Sequence, residues 1–179
     1  MLFRSWSFEF YNNFTDGGIQ YAGPGIPALP YLRGYLNYNN NSGMTSVPEF
    51  TSLVTLGYWM NFHDNSDLTA FPPFPALVNI QNGGISAYSN PNMTTVGTFL
   101  PSIKYIESDV NFEACALDQA SVDAVLAKLV SLDGTNGTTL WQYRNVYLHN
   151  GTNAYPSEAG LESITILQGR GCNVYYNSP

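Results

Sequence analysis

A seven-residue motif returns at a nearly constant interval through the middle of the chain. Met44-Thr45-Ser46-Val47-Pro48-Glu49-Phe50, Leu68-Thr69-Ala70-Phe71-Pro72-Pro73-Phe74 and Met93-Thr94-Thr95-Val96-Gly97-Thr98-Phe99 align, with first residues 24 and 25 positions apart, and Leu117 opens a fourth copy another 24 on. Each copy is followed by an apolar pair, Leu53/Leu56, Leu77/Ile80 or Ile103/Ile106, and preceded by a polar turn, Asn41-Ser42-Gly43, Asn65-Ser66-Asp67 or Asn90-Pro91-Asn92. Leu29-Pro30-Tyr31-Leu32 with Tyr35 is a weaker earlier copy. A unit of this size cannot bury its apolar edge alone, so repeats at a fixed period must stack on one another.

The spacing within a repeat says how the stack is built. Leu-x-x-Leu-x-apolar turns side chains inward from a short strand, an Asn or Ser then turns the chain, and the Thr-x-x-Pro stretch returns without regular helix. Stacked, the short strands form a parallel ladder, and an α/β solenoid results. The competing reading is an all-β sandwich with coincidental spacing. Beyond residue 116 helices enter. Asp118 is placed to cap a helix whose Val122, Val125, Leu126, Leu129 and Val130 share one face. Asp133-Gly134-Thr135-Asn136-Gly137 breaks the chain. Val146-x-Leu148 reads as a strand, Pro156 and Ser157 start a second helix through Leu161, Ile164 and Leu167, and Gly169 and Gly171 end it before a last strand, Cys172-x-Val174-x-Tyr176. Strand, helix and strand in this order imply parallel pairing. The expected organisation is one continuous domain: residues 1–24 as an N-terminal cap or docking arm with an edge strand over Ser7-Phe8-Glu9-Phe10-Tyr11, residues 25–116 as the degenerate repeats, and residues 117–179 as helix-containing C-terminal repeats.

Of 179 residues only 11% are charged, and 6 Lys+Arg against 13 Asp+Glu leave a net charge of −7. With so few cations there is no basic patch to neutralise phosphates, so nucleic acid and anionic membrane are poor partners. The polar surface must come from uncharged groups, and the 19 Asn are the largest single supply. No stretch approaches the ~18 apolar residues of a membrane span, and Met1-Leu2-Phe3-Arg4-Ser5-Trp6 has no signal-peptide pattern. Five Asn-x-Ser/Thr sequons, at Asn13, Asn40, Asn92, Asn136 and Asn150, are what chance supplies in such a composition. Cys115 and Cys172 are expected to be buried free thiols, a bridge between them being the alternative.

The repeats resemble the leucine-rich-repeat superfamily over roughly residues 25–176: Leu53-x-x-Leu56-x-Tyr58-x-x-Asn61 follows its template, and Val110-x-Phe112-x-x-Cys115-x-Leu117 follows the second half, with Cys at the turn position. The tail is similar to end modules of leucine-rich-like proteins in tailed-phage virions and bacterial surface proteins. The matching segments are Cys115 to Leu126, Gly151 to Leu161 and Arg170-Gly171-Cys172-Asn173-Val174-Tyr175-Tyr176. The resemblance implies a leucine-rich-repeat-like ladder and a structural or adhesive component of a particle rather than an enzyme.

Catalytic chemistry is sparse. His63 and His149 belong to no metal-binding set, and no nucleophile elbow or phosphate loop occurs. Asp64 and Asp67 could offer oxygens to Ca²⁺, but Asx turns explain them better. Glu107 and Asp109 alternate on one strand, which reads as a solvated face before a hydrolytic dyad. No catalytic residue, metal or cofactor is expected. The outward face of the ladder is the better candidate. With Leu56 and Tyr58 inward, alternation sends Gly57, Trp59 and Asn61 outward, followed by Gln81 and Gly83, then Glu107 and Asp109, with Tyr38 on the preceding repeat. Tyr38, Trp59, Asn61, Gln81, Glu107 and Asp109 then form a patch of rings, amides and carboxylates suited to a sugar or a protein partner; the alternative places Trp59 in the core. The expected function is an accessory of a phage virion, of decoration or fibre type, bound to capsid or tail proteins and particle-bound or oligomeric. The alternative is an extracellular or cell-surface adhesive module that grips a host glycan or protein through the ladder face.

Overall fold

The computed structural model describes residues 8, 9, 21, 22 and 29–179. Among them the elements run β1 (Phe8–Glu9), β2 (Tyr21–Ala22), β3 (Tyr31–Leu32), β4 (Leu36–Asn37), β5 (Met44–Ser46), β6 (Thr55–Leu56), β7 (Met60–Asn61), β8 (Asn79–Ile80), β9 (Ile85–Ser86), β10 (Tyr105–Ile106), β11 (Val110–Asn111), α1 (Gln119–Ser131), β12 (Asn145–Leu148), α2 (Glu158–Gly169) and β13 (Asn173–Tyr176). Apart from β1 and β2, the segment 1–24 read as a cap or arm lies outside the described residues; β1 is the end strand of its sheet.

Every named strand pair is parallel, and the repeat period sets the register. One sheet of four strands runs β10-β8-β6-β3, pairing Leu32 with Leu56, Leu56 with Ile80 and Ile80 with Ile106. A second, of seven strands, runs β1-β4-β7-β9-β11-β12-β13 and sets Leu36, Met60, Ile85, Val110, Val146 and Val174 side by side. A two-stranded pair, β2-β5, stands apart. Each repeat thus lends two residues to the first sheet, turns a corner, and lends two to the second. All these apolar positions are buried, and each side chain withdrawn from water contributes ~1.5–3 kcal/mol. The Phe of the motif packs behind them: the rings of Phe50 and Phe74 stack at 4.7 Å and 6°, while Phe71 and Phe99 meet Phe112 edge-on at 5.3 and 5.8 Å.

The corner is where the expected register fails. Between Leu56 and Met60 the chain leaves one sheet for the other, so strict alternation does not carry through. Tyr58 is exposed rather than inward, and Tyr38, expected outside, is fully buried against Phe62 and Phe50. Gly57 and Gly83 do not project either. A Cβ at Gly57 would lie 1.9 Å from the Arg33 carbonyl oxygen and one at Gly83 2.6 Å from the Trp59 nitrogen, so these glycines let neighbouring repeats touch by their backbones.

The polar turns are internal. Asn41, Asn65 and Asn90 are buried, and the residue before each, Asn40, Asp64 or Ser89, has φ of 59°, 58° or 56°. Ala114 takes the same left-handed conformation (φ 54°) before Cys115, which occupies the fourth place in this row. In the C-terminal part the helices form as the apolar spacing requires. The Asp118 carboxylate accepts the Ser121 N–H at 2.8 Å and caps α1; the Ser157 hydroxyl accepts the Gly160 N–H at 3.3 Å and caps α2. Val122, Val125, Leu126 and Leu129 of α1 and Ile164 and Leu167 of α2 are buried, and β11, β12 and β13 lie parallel in succession. Cys115 and Cys172 are both buried free thiols. No helix among the described residues is long and apolar enough to cross a membrane.

Candidate binding face

The seven-stranded sheet presents one row of side chains outward. Register places Asn37 beside Asn61, Asn61 beside Ser86, Ser86 beside Asn111, Asn111 beside Tyr147 and Tyr147 beside Tyr175. Alternation explains the row, since the buried partners Leu36, Met60, Ile85, Val110, Val146 and Val174 precede these residues by one. Two residues further on, a parallel row holds Asn39, His63, Tyr88, Glu113, His149 and Asn177.

The side chains brace one another along the stacking direction. Asn61 Nδ2 donates to Asn37 Oδ1 at 2.6 Å. The Tyr147 and Tyr175 rings stack at 5.1 Å and 7°, and those of His63 and Tyr88 at 4.6 Å and 3°. His63 Nδ1 lies 2.7 Å from Asp64 Oδ2, and His149 Nε2 lies 3.6 Å from a Glu113 carboxylate that also accepts from Asn150 Nδ2 at 2.8 Å. Carboxylates therefore line the row without filling it. Tyr88 shows the effect, its phenol held above the usual range by burial and then by the negative charges of Asp64 and Glu113. Tyr147 is raised for the same reasons, burial first and then Asp109, Tyr175 and Glu113. Both phenols stay protonated at neutral pH and keep their O–H donors.

Of the residues expected on the face, Asn61 stands in the outward row, and Trp59 is half-buried at its edge, just before Met60. Asp109 is on the same side but occupied, since it accepts the Asn145 N–H at 2.8 Å and the Asn145 Nδ2 at 2.9 Å. Gln81 and Glu107 follow β8 and β10 of the other sheet and lie at the corner, not in the row. Tyr38 is removed from the face altogether by its burial. The six therefore do not form one patch. Sequence reasoning missed Tyr147, Tyr175, Tyr88, His63 and His149. A usable signal existed for two of them, because Val146-x-Leu148 and Val174-x-Tyr176 were already strands and alternation puts Tyr147 and Tyr175 on the opposite side.

Asp67 is committed to structure, accepting the Gly43 N–H at 2.9 Å and the Ser66 hydroxyl at 3.0 Å. Among the described residues no group of three or more His, Cys, Asp or Glu could hold a metal ion. What the face offers chemically is recognition: flat rings, amide donors and acceptors, and two imidazoles on a preorganised surface. Set against protein-family models, curated proteins and solved structures, the chain matches none.

Proposed function

We propose that the chain is a leucine-rich-repeat-like solenoid that works by binding rather than catalysis, as an accessory component of a tailed-phage virion, and that the outer face of its seven-stranded sheet grips capsid or tail protein. The row Asn37-Asn61-Ser86-Asn111-Tyr147-Tyr175 is the observation that carries this reading. Its members are held in register by the backbone, and the pairs Asn37–Asn61 and Tyr147–Tyr175 brace each other, so less side-chain entropy remains to be lost on association. Tyrosines with this mixture of area and polarity serve as interface anchors. Its uncharged character also predicts an association insensitive to salt.

Quantitative mass spectrometry of purified particles tests the location: hundreds of copies per particle mean shell decoration, a few to a dozen mean a tail or fibre, and none rejects the virion reading. Tyr147→Ala/Tyr175→Ala tests the surface. With the circular dichroism unchanged, it should release the protein from particles; full retention rejects this face as the grip.

A second reading is favoured by the stacked Tyr147–Tyr175 pair flanked by amides, which suits the apolar face of a sugar ring. On it the same face adheres to a host surface glycan or protein from an extracellular or cell-surface position. Loss of binding to host cells by the double variant, with particle association intact, selects this reading over the first.

A further inference from the structure

Where the last all-strand repeat meets the first helical one, the chain opens a cleft of about 260 Å³. It lies at the corner, beside the end strand β10, and is lined by Tyr105, Ile106, Glu107, Gln142, Tyr143 and Arg144 among others. The cause is an interrupted ladder. In the four-stranded sheet the carbonyls of Leu32, Leu56 and Ile80 each accept an N–H from the next repeat, from Gly57, Gln81 and Glu107 respectively. The next in this series is Ile106, and among the described residues no backbone N–H reaches its carbonyl. The following segment pairs once, through Thr139 N–H to Lys104 O at 2.9 Å, and then swings inward to bury Trp141.

Three features of this cleft point to one ligand chemistry. Tyr143 is 72% exposed yet fixed: its N–H donates to Arg170 O at 3.3 Å, and the Cδ1–Cε1 edge of its ring lies so close to Gly171 that a Cβ there would come within 2.6 Å. The exposed remainder of the ring, part of the cleft lining, offers a platform for an apolar ligand face. Arg144 and Glu107 stand 3.4 Å apart and neutralise each other, and Arg144 Nε also donates to the Glu107 carbonyl, so the cleft presents a charged donor and a charged acceptor with no net charge. The Gln142 amide and the Ile106 carbonyl add uncharged groups. A ligand with many hydroxyls, one apolar face and no charge uses all of these; an anion would have to displace Glu107 and approach a chain of charge −7. The volume is just below the ~300 Å³ at which sites for drug-sized molecules begin, and it matches an occupant of about one ring.

We propose that this cleft binds one neutral pyranose ring, stacked on Tyr143 and hydrogen-bonded through Glu107, Arg144, Gln142 and the Ile106 carbonyl. The site is separate from the outer face and does not rest on the virion reading.

Saturation-transfer NMR and calorimetry with the methyl pyranosides of glucose, galactose, mannose and N-acetylglucosamine, with trisaccharides of the same sugars and with methyl glucuronide, test the proposal. At least one neutral methyl pyranoside should bind, with a dissociation constant in the millimolar range typical of so small a contact. Tyr143→Gly, which suits the φ of +54° at this position, should weaken it at least tenfold with the circular dichroism unchanged, and Tyr143→Phe should retain it. If the glycine variant fails to fold, Tyr143→Asn, which also accepts a positive φ, serves in its place. The absence of any binding at about ten times millimolar concentration, binding indifferent to both variants, tighter binding of the glucuronide, or a tenfold gain on going to a trisaccharide would each overturn it.

Discussion

The side-chain oxygen of Asn65 accepts the backbone N–H of Asn41, 24 residues earlier, at 2.8 Å, and Asn90 does the same for Asn65 at 2.9 Å. The amide nitrogen works as hard. Asn65 Nδ2 donates to the carbonyls of Tyr38 at 2.7 Å and Phe62 at 2.6 Å, and Asn90 Nδ2 to those of Phe62 at 3.0 Å and Ala87 at 2.7 Å. Asn153 repeats the arrangement after the helical insertion, with Leu117 N–H, Phe112 O and Leu148 O. Each Asn thus satisfies backbone groups of two successive repeats where the turn leaves the ladder, and a buried group left without a partner costs ~1–3 kcal/mol.

Asn65→Ala removes the acceptor of the Asn41 N–H and a donor to each of the Tyr38 and Phe62 carbonyls, and Phe62 O still accepts from Asn90. The expected loss is about 2–5 kcal/mol, read as a fall in the denaturant midpoint. Asn65→Asp should be no better at neutral pH, because it sets a carboxylate oxygen against the Tyr38 and Phe62 carbonyls. Exposed Asn92, whose Nδ2 reaches Ser66 O at 2.8 Å, should tolerate Ala within roughly 0.5 kcal/mol. Equal costs at the two sites would refute the ladder argument.

Cys115 holds the same row with a thiol. Its Sγ donates to Ala87 O at 3.2 Å and receives the Asn90 N–H. Burial pushes this thiol up to about 12, the Asn90 N–H pulling more weakly the other way. An unfolded thiol ionises near ~8.5, so the unfolded chain gives up this proton first. The contribution is therefore fully present below about pH 8.5 and is lost as pH rises towards 12. The buried Tyr38 phenol, also raised by burial, acts with the same sign from about pH 10 upward. Unfolding midpoints measured from pH 7 to 11 should fall through this range, and Cys115→Asn should flatten the first part of the decline while keeping or raising stability at pH 7. A steeper decline in Cys115→Asn would contradict the assignment.

The repeat period was legible because it depends on apolar spacing alone: Leu32, Leu56, Ile80 and Ile106 stand in register as their spacing requires. The caps Asp118 and Ser157 and the buried stripe of α1 were legible for the same reason. The face was not. Alternation runs outward from a known inward residue only while the strand lasts, and each strand here lasts two residues before Gly57-Tyr58-Trp59, or its counterpart, turns the corner. That is why Tyr58 and Tyr38 exchanged sides. The cleft lay still deeper, since the segment from Thr139 to Arg144 follows no repeat and its shape comes from the burial of Trp141. Nothing local in the sequence announces that.

Arg170 follows α2 but serves α1. Its Nη1 donates to Leu129 O at 3.4 Å and Leu132 O at 3.2 Å, and its Nη2 to Val130 O at 2.9 Å, so one guanidinium closes the carbonyl end of the neighbouring helix. A cation there also opposes the negative end of the helix dipole. Arg170→Gln should cost ~1.5–3 kcal/mol, the range for bonds to a charged group. Arg170→Lys should recover only part of it, because an ammonium lacks the planar fork. Hydrogen exchange gives the sharper readout: the amides of the last turn of α1 should lose protection in Arg170→Gln while those of β6 and β8 keep theirs. Uniform loss across the chain would mean that the side chain acts by general packing.

Two glycines separate close approach from mere flexibility. A Cβ at Gly84 would sit 2.0 Å from the Asp109 carbonyl oxygen, in the backbone contact that lets one repeat settle on the next. The obstacle is backbone, which cannot rotate away, so Gly84→Ala should lose at least the ~1–3 kcal/mol of an overpacked interior. Gly169 is the opposite case. It lies in the last turn of α2, a Cβ there meets nothing within 4 Å, and its φ is not in the left-handed region. Gly169→Ala should therefore stabilise by ~0.4–1 kcal/mol, chiefly by restricting the unfolded chain. Thermal unfolding of the two variants should move the midpoint in opposite directions. A gain in Gly84→Ala would mean that the corner between the sheets is looser than its backbone contacts require.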